Sequence, residues 1–156
     1  MADLTDRRRE ILVAAFTLAS AVGVIAFVFG VGAVAAGGSV AQVVVMSLLV
    51  FTGASQFSAV SVIAAGGSTA AALGGAMLLA ARNGVYGLAM SRIIGGPLAT
   101  RVLAAQLTID ESTAMATAQS DDRAQRAAFW ITGCSVFVFW NLGTLLGAVA
   151  VRPSTR

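Results

Sequence analysis

Four stretches of this sequence are long and apolar enough to cross a lipid bilayer, and little else is left for a competing architecture. They run Ile11–Ala36, Val40–Ala65, Thr69–Met90 and Ala127–Val151, and a bilayer core takes about 20 mostly apolar residues per helix. The chain as a whole is 58% hydrophobic and 11% charged, with a mean hydropathy of +0.87, whereas an ordinary soluble domain is about 25% charged. The expected fold is all-α: a polytopic integral membrane helix bundle of four transmembrane helices with an interfacial or re-entrant helical connector. A basic N-terminal tail (1–10), a single transmembrane domain (11–151, with spans at 11–36, 40–65, 69–90 and 127–151 and the connector at 91–126) and a short tail (152–156) complete the plan.

Every basic residue is arginine, and the isoelectric point near 10.5 reflects a net charge of only +3. These arginines sit mostly at the ends of apolar runs, as the lipid interface would place them. They are not gathered on one exposed face as in a nucleic-acid-binding protein. The single cysteine, Cys134, rules out an intrachain disulfide and reads as a small packing or lipid-facing residue. DRRREIL before the first apolar run resembles a twin-arginine signal. That run is far longer than a signal core of about 7 to 15 residues, and three more follow, so Arg7, Arg8 and Arg9 read as a cytoplasmic anchor. Orientation is not fixed by charge: Arg7, Arg8, Arg9, Arg152 and Arg156 oppose Arg92, Arg101, Arg123 and Arg126, leaving open a re-entrant run.

The first three runs are joined by short uncharged turns built on one phrase used twice, AAGGSVA at Ala35–Ala41 and AAGGSTA at Ala64–Ala70. Glycine at positive φ ends one helix, and Ser39 or Ser68 caps the next, which predicts antiparallel helix hairpins. In the connector, Pro97 suits a helix start, and Thr108-Ile-Asp-Glu111 fits a capping box opening a second helix. Asp122 precedes Arg126 by one turn at the start of the last span.

The second run carries an anomaly at its middle, LVFTGASQFSAVS (Leu49–Ser61). At helical spacing Thr52, Ser55, Gln56 and Ala59 share one stripe, with Gly53 beside it. Serine and threonine in such a stripe are explained by helix–helix contact. Gln56 has two donors and an acceptor to satisfy, and the neighbouring glycine allows the helix to loosen into a broken-helix site. In the third run Arg82 carries a permanent charge, with Tyr86 one turn on and Ala71, Gly75 and Ala89 on the same face, which is therefore expected to face protein. Its guanidinium suits a carboxylate, either structural (Asp110 or Glu111) or a substrate's. Asp110 and Glu111 themselves read as a capping pair or as an ion-responsive pair. In the last run Trp140, Asn141 and Thr144 form a polar group, with Gly143 and Gly147 spaced for helix contact. The sequence has no histidine, one cysteine and no phosphate-binding loop, so it offers no metal site, cofactor site or ATP-driven chemistry of its own.

SLLVFTGASQFSAVSVIAAGGS, LLAARNGVYGLAMS, LTIDES and FWITGCSVFVFWNLGTLLGA, in that order, resemble the AzlC family of branched-chain amino acid permeases from about Val22 to Val149. GASQF is the most specific piece. Arg82, Tyr86 and Gly87 match the third-run motif, and Ala80 departs from it where members show asparagine. The resemblance implies export of branched-chain amino acids or analogues across the bacterial cytoplasmic membrane by an ion-coupled carrier. It implies as partners a small AzlD-type membrane subunit, a second copy, or both. Members continue through further spans, so a member shortened at its carboxyl end is expected.

On this reading Thr52, Gly53, Ser55, Gln56, Arg82, Tyr86 and Asn141 are candidate substrate-binding residues, and Asp110 and Glu111 candidate ion-coupling or structural carboxylates. A contrasting expectation is a non-transporting assembly or regulatory membrane subunit, including a degenerate remnant of a longer carrier.

Overall fold

A computed structural model describes residues 2–151, with side chains from residue 6 onward. The first residues of the basic tail and the tail at 152–156, with its two arginines, lie outside the described residues. The described residues are all-α and 84% helical. Seven helices follow in order: α1 (Ala2–Ala35), α2 (Val40–Leu49), α3 (Gly53–Ala64), α4 (Thr69–Ser91), α5 (Leu98–Leu107), α6 (Asp110–Thr117) and α7 (Asp122–Ala150). Two of them, over Asp6–Ala35 and Asp122–Ala150, are long and apolar enough to cross a membrane.

Both glycine turns form as their residues dictate. Gly37 and Gly66 take φ of 100° and 77°, conformations that glycine adopts without a Cβ clash. Ser39 then caps α2 in both directions: its hydroxyl accepts from Gln42 N, and its own N–H donates to Gln42 Oε1 at 2.9 Å. Ser68 accepts from Ala71 N at 3.2 Å. Between these turns, the run at 40–65 is two helices rather than one continuous span.

The connector also departs from expectation. Pro97 precedes α5, but the box between Thr108 and Glu111 does not form. Thr108 donates its hydroxyl back to Ala104 O at 2.7 Å, and the Ile109 N–H is taken by Ser112 Oγ at 3.1 Å. The helix thus starts at Asp110, and Glu111 is not its cap. Asp122 does not pair with Arg126 either: Arg126 Nε donates to Ile93 O at 2.6 Å.

The residues divide into two compact units, Met1–Ser20 with Arg82–Phe137, and Ala21–Ala81 with Val138–Arg156. In the first, Ile11, Ala15 and Ala19 of α1 and Ala124, Ala128, Thr132 and Val136 of α7 are buried at helical spacing. Gly133 admits Leu107 and Ser112, which a Cβ would meet at 3.0 and 3.6 Å. In the second, α1 and α7 meet backbone to backbone. A Cβ on Gly143 would strike Gly23 O, one on Gly147 would strike Phe27 O, and one on Gly30 would strike Thr144 O. Glycine lets the helices approach closely enough for dispersion contacts to replace lipid contacts. Outward positions are strongly apolar: Val24, Leu49, Met77, Leu78 and Leu88 are 68–77% exposed, a surface suited to hydrocarbon rather than water.

Candidate functional site

The most enclosed polar group lies in the second unit, at the break between α2 and α3. Helix α2 ends with Val50 N donating to Met46 O at 2.9 Å. Phe51 is buried, and Thr52 is extended at φ −150°, ψ 98°. Thr52 is a natural N-cap residue, yet its hydroxyl donates to Ser55 Oγ at 2.8 Å and no side chain caps α3. The chain is therefore interrupted between α2 and α3, and α3 begins with an N-terminus that no side chain caps. Gly53 opens α3 beneath the Trp140 indole, whose Cη2 would lie 2.8 Å from an added Cβ.

Gln56 is completely buried. Its Nε2 donates to Met46 O at 3.2 Å, a carbonyl already accepting from Val50, while its Oε1 has no hydrogen-bond partner. Trp140 Nε1, also buried, likewise lacks one. Each such group costs about 1–3 kcal/mol, so the fold holds an acceptor and a donor in readiness at its own expense. In the same unit Ser47 donates to Thr144 Oγ1 at 3.3 Å. Trp140 is set by Phe29, stacked at 5.9 Å and 27°, and by Phe57, edge-on at 6.4 Å. Met46 also borders a hollow of about 300 Å³ lined by Ala33, Gly38, Val43, Val60 and Ile63, at the lower end of small-molecule pocket volumes.

The second polar group belongs to the other unit. Arg82 Nη1 pairs with Asp110 Oδ2 at 2.9 Å, both side chains 42% exposed. The carboxylate that Arg82 holds is thus the chain's own, contributed by the first residue of α6. Its other oxygen, Oδ1, is buried with no partner. Beside it Glu111 titrates above its ordinary value of 4.5, because burial disfavours the charged form. Its backbone hydrogen bond opposes that rise, Asp110 adds to it, and Arg82 opposes it. On the face of α4 that was expected to meet protein, Arg82 makes this ion pair and Gly75 lies against Ser58, whose Oγ would be 3.1 Å from an added Cβ, whereas Ala71 and Ala89 are exposed.

Of the sequence-nominated residues, Thr52, Gly53, Ser55 and Gln56 therefore come together at the break, and Arg82 comes together with Asp110 and Glu111. Tyr86, one turn after Arg82, and Asn141, next to Trp140, are half-buried. Phe29 and Phe57 escaped the sequence reading, since an apolar ring in an apolar helix carries no mark of its neighbours. Among the described residues no cluster of His, Cys, Asp or Glu could hold a metal ion. Cys134 is exposed and unbridged.

A family model described as AzlC protein matches residues 17–152, most of the chain. Members are membrane proteins related to branched-chain amino acid transport, a transporter family and not an enzyme family. No curated protein and no solved structure matches the chain.

Proposed function

Because the chain belongs to the AzlC family, we propose that it is a multi-pass subunit of a secondary transporter that exports branched-chain amino acids or analogues across the bacterial cytoplasmic membrane. It works with a small AzlD-type membrane partner. In this reading α1, α4 and α7 cross the membrane and the α2–α3 pair is a re-entrant hairpin, the start of α2 facing the end of α3 across the hollow at Gln42 and Val60, so that α1 and α7 begin on the same face; α5 and α6 form the connector.

The observation that carries the proposal is Gln56, fully buried at a helix break with an unpaired acceptor. An interrupted membrane helix offers both signs of partial charge to a zwitterion. The uncapped N-terminus of α3 suits a carboxylate, while Gln56 Oε1 suits an ammonium. The hollow beside Met46 takes the aliphatic group. Arg82 is held by the chain's own Asp110 rather than gripping substrate. A coupling proton taken up at Asp110 or Glu111 loosens its hold.

Purified protein in lipid vesicles, with and without the partner, tests this by uptake of labelled leucine, isoleucine and valine against an imposed ion gradient. Counterflow that requires both subunits and disappears in Gln56→Leu supports the proposal. Absence of counterflow in the intact two-subunit complex points instead to a non-transporting subunit.

A further inference from the structure

A pocket away from both polar groups has the chemistry of a lipid-headgroup site. We propose that Arg8 and Arg123 bind the phosphate of an anionic phospholipid at the membrane surface where α1 and α7 begin.

The two candidate spans start at Asp6 and Asp122, and their first turns are joined by Arg7 Nη1 to Asp121 Oδ2 at 2.8 Å. They therefore enter the membrane side by side. Between them lies a pocket of about 130 Å³ lined by Arg7, Arg8 and Arg123, with Asp121 as its one acidic residue and Ile11, Ala124 and Ala127 as an apolar floor.

Asp121 is fully occupied. One oxygen holds Arg7, and the other accepts from Ala124 N at 2.9 Å, capping α7. Arg7 is thereby matched, which leaves Arg8 and Arg123 as surplus positive charge with no ion-pair partner among the described residues. Asp6, Glu10 and Asp122 are on adjoining turns but do not line the pocket. Two guanidinium forks match a phosphate's oxygens, and the α7 N-terminus adds a field of the same sign. A free anion would need only the charges. The apolar floor, buried at Ile11 and Ala124 and continuous with helices that enter lipid, suits the glycerol and first methylenes of a lipid and commits the site to it. An arginine cluster at the start of the first span is also where the anionic cytoplasmic leaflet is expected.

The test is native mass spectrometry of the purified full chain titrated with phosphatidylglycerol, phosphatidylcholine or inorganic phosphate. Retention of phosphatidylglycerol in preference to phosphatidylcholine is expected. Its apparent affinity should weaken about fivefold for each arginine removed in Arg8→Gln and Arg8→Gln/Arg123→Gln, while Arg92→Gln, outside the pocket, has no effect. If the double variant does not fold, Arg8→Gln alone carries the comparison, since that side chain is exposed. Equal retention of phosphatidylcholine, undiminished affinity in the variants, or equal loss in Arg92→Gln would overturn the proposal. Displacement of the lipid by millimolar inorganic phosphate would assign the site to a free anion and overturn it too.

Discussion

Gln56 and Arg82 are both polar groups set in apolar helices, but the fold treats them oppositely. Arg82 carries a full charge, keeps part of its surface exposed and is matched by Asp110 at 2.9 Å. Gln56 is neutral, completely enclosed and only half satisfied. The ion pair resolves a local electrostatic problem that the sequence creates by placing an arginine in a membrane run. The glutamine leaves a problem unresolved, and stability alone would have removed it, since leucine fits an apolar interior without any unpaired atom. The enclosed, unsatisfied group carries the stronger functional signal, even though the charged one is more conspicuous.

The strongest way to break that contrast is Gln56→Leu. Leucine transport is expected to fall at least about tenfold, with thermal stability unchanged or raised, because an unpaired buried acceptor is removed. A parallel loss of folded protein and transport would reduce Gln56 to a packing residue. Next in size is Gly53→Ala. The added methyl forces the Trp140 ring to move, at about 1–3 kcal/mol, which a melting curve in detergent would register together with a partial loss of transport. A normal melting temperature would show that the indole has room to yield.

Arg82→Gln and Asp110→Asn, separately and together, probe the other group. Both side chains are partly exposed, so each single change is expected to cost about 1 kcal/mol or less, and the double variant less than the sum. Strict additivity would mean that the pair is not formed. Glu111 sets a pH dependence whose sign follows from burial. Its folded pKa lies above the ordinary 4.5, so the folded state binds more protons between the two values. Stability is then greatest below 4.5 and declines as pH rises through the folded value. Glu111→Gln should flatten that decline in a series of melts across pH, and an unaltered slope would assign it to another group. The smallest effect expected is in the caps: Ser39→Ala, which breaks a two-way box, loses about 1 kcal/mol, and Ser68→Ala somewhat less.

Legibility in the sequence differed by the range of the interaction. The AAGGS turns were readable because glycine and a capping serine act within one helical turn. The break at Phe51–Thr52 was half readable: Gly53 beside Gln56 suggested loosening, but hydropathy runs unbroken from Val40 to Ala65 and gave no sign of two helices. The Thr108–Glu111 box misled because two overlapping registers fit the same residues. Thr108 is already engaged by the end of α5, which leaves Ser112 to back-bond to Ile109. The role expected of Arg82, holding a carboxylate, was legible from its chemistry, whereas the choice of Asp110 over Glu111 was not.

Composition and local pattern by themselves determined that this chain is helical, that its outward surface suits lipid, where its turns fall, and through GASQF which family it resembles. Those properties depend on residue type and nearest neighbours. Tertiary structure alone decided that Trp140 closes over Gly53, that Asp110 reaches Arg82, and that Gln56 Oε1 is sealed away without a partner. Each of these joins residues far apart in the chain, and burial is a property of how helices pack against one another, which no single helix encodes.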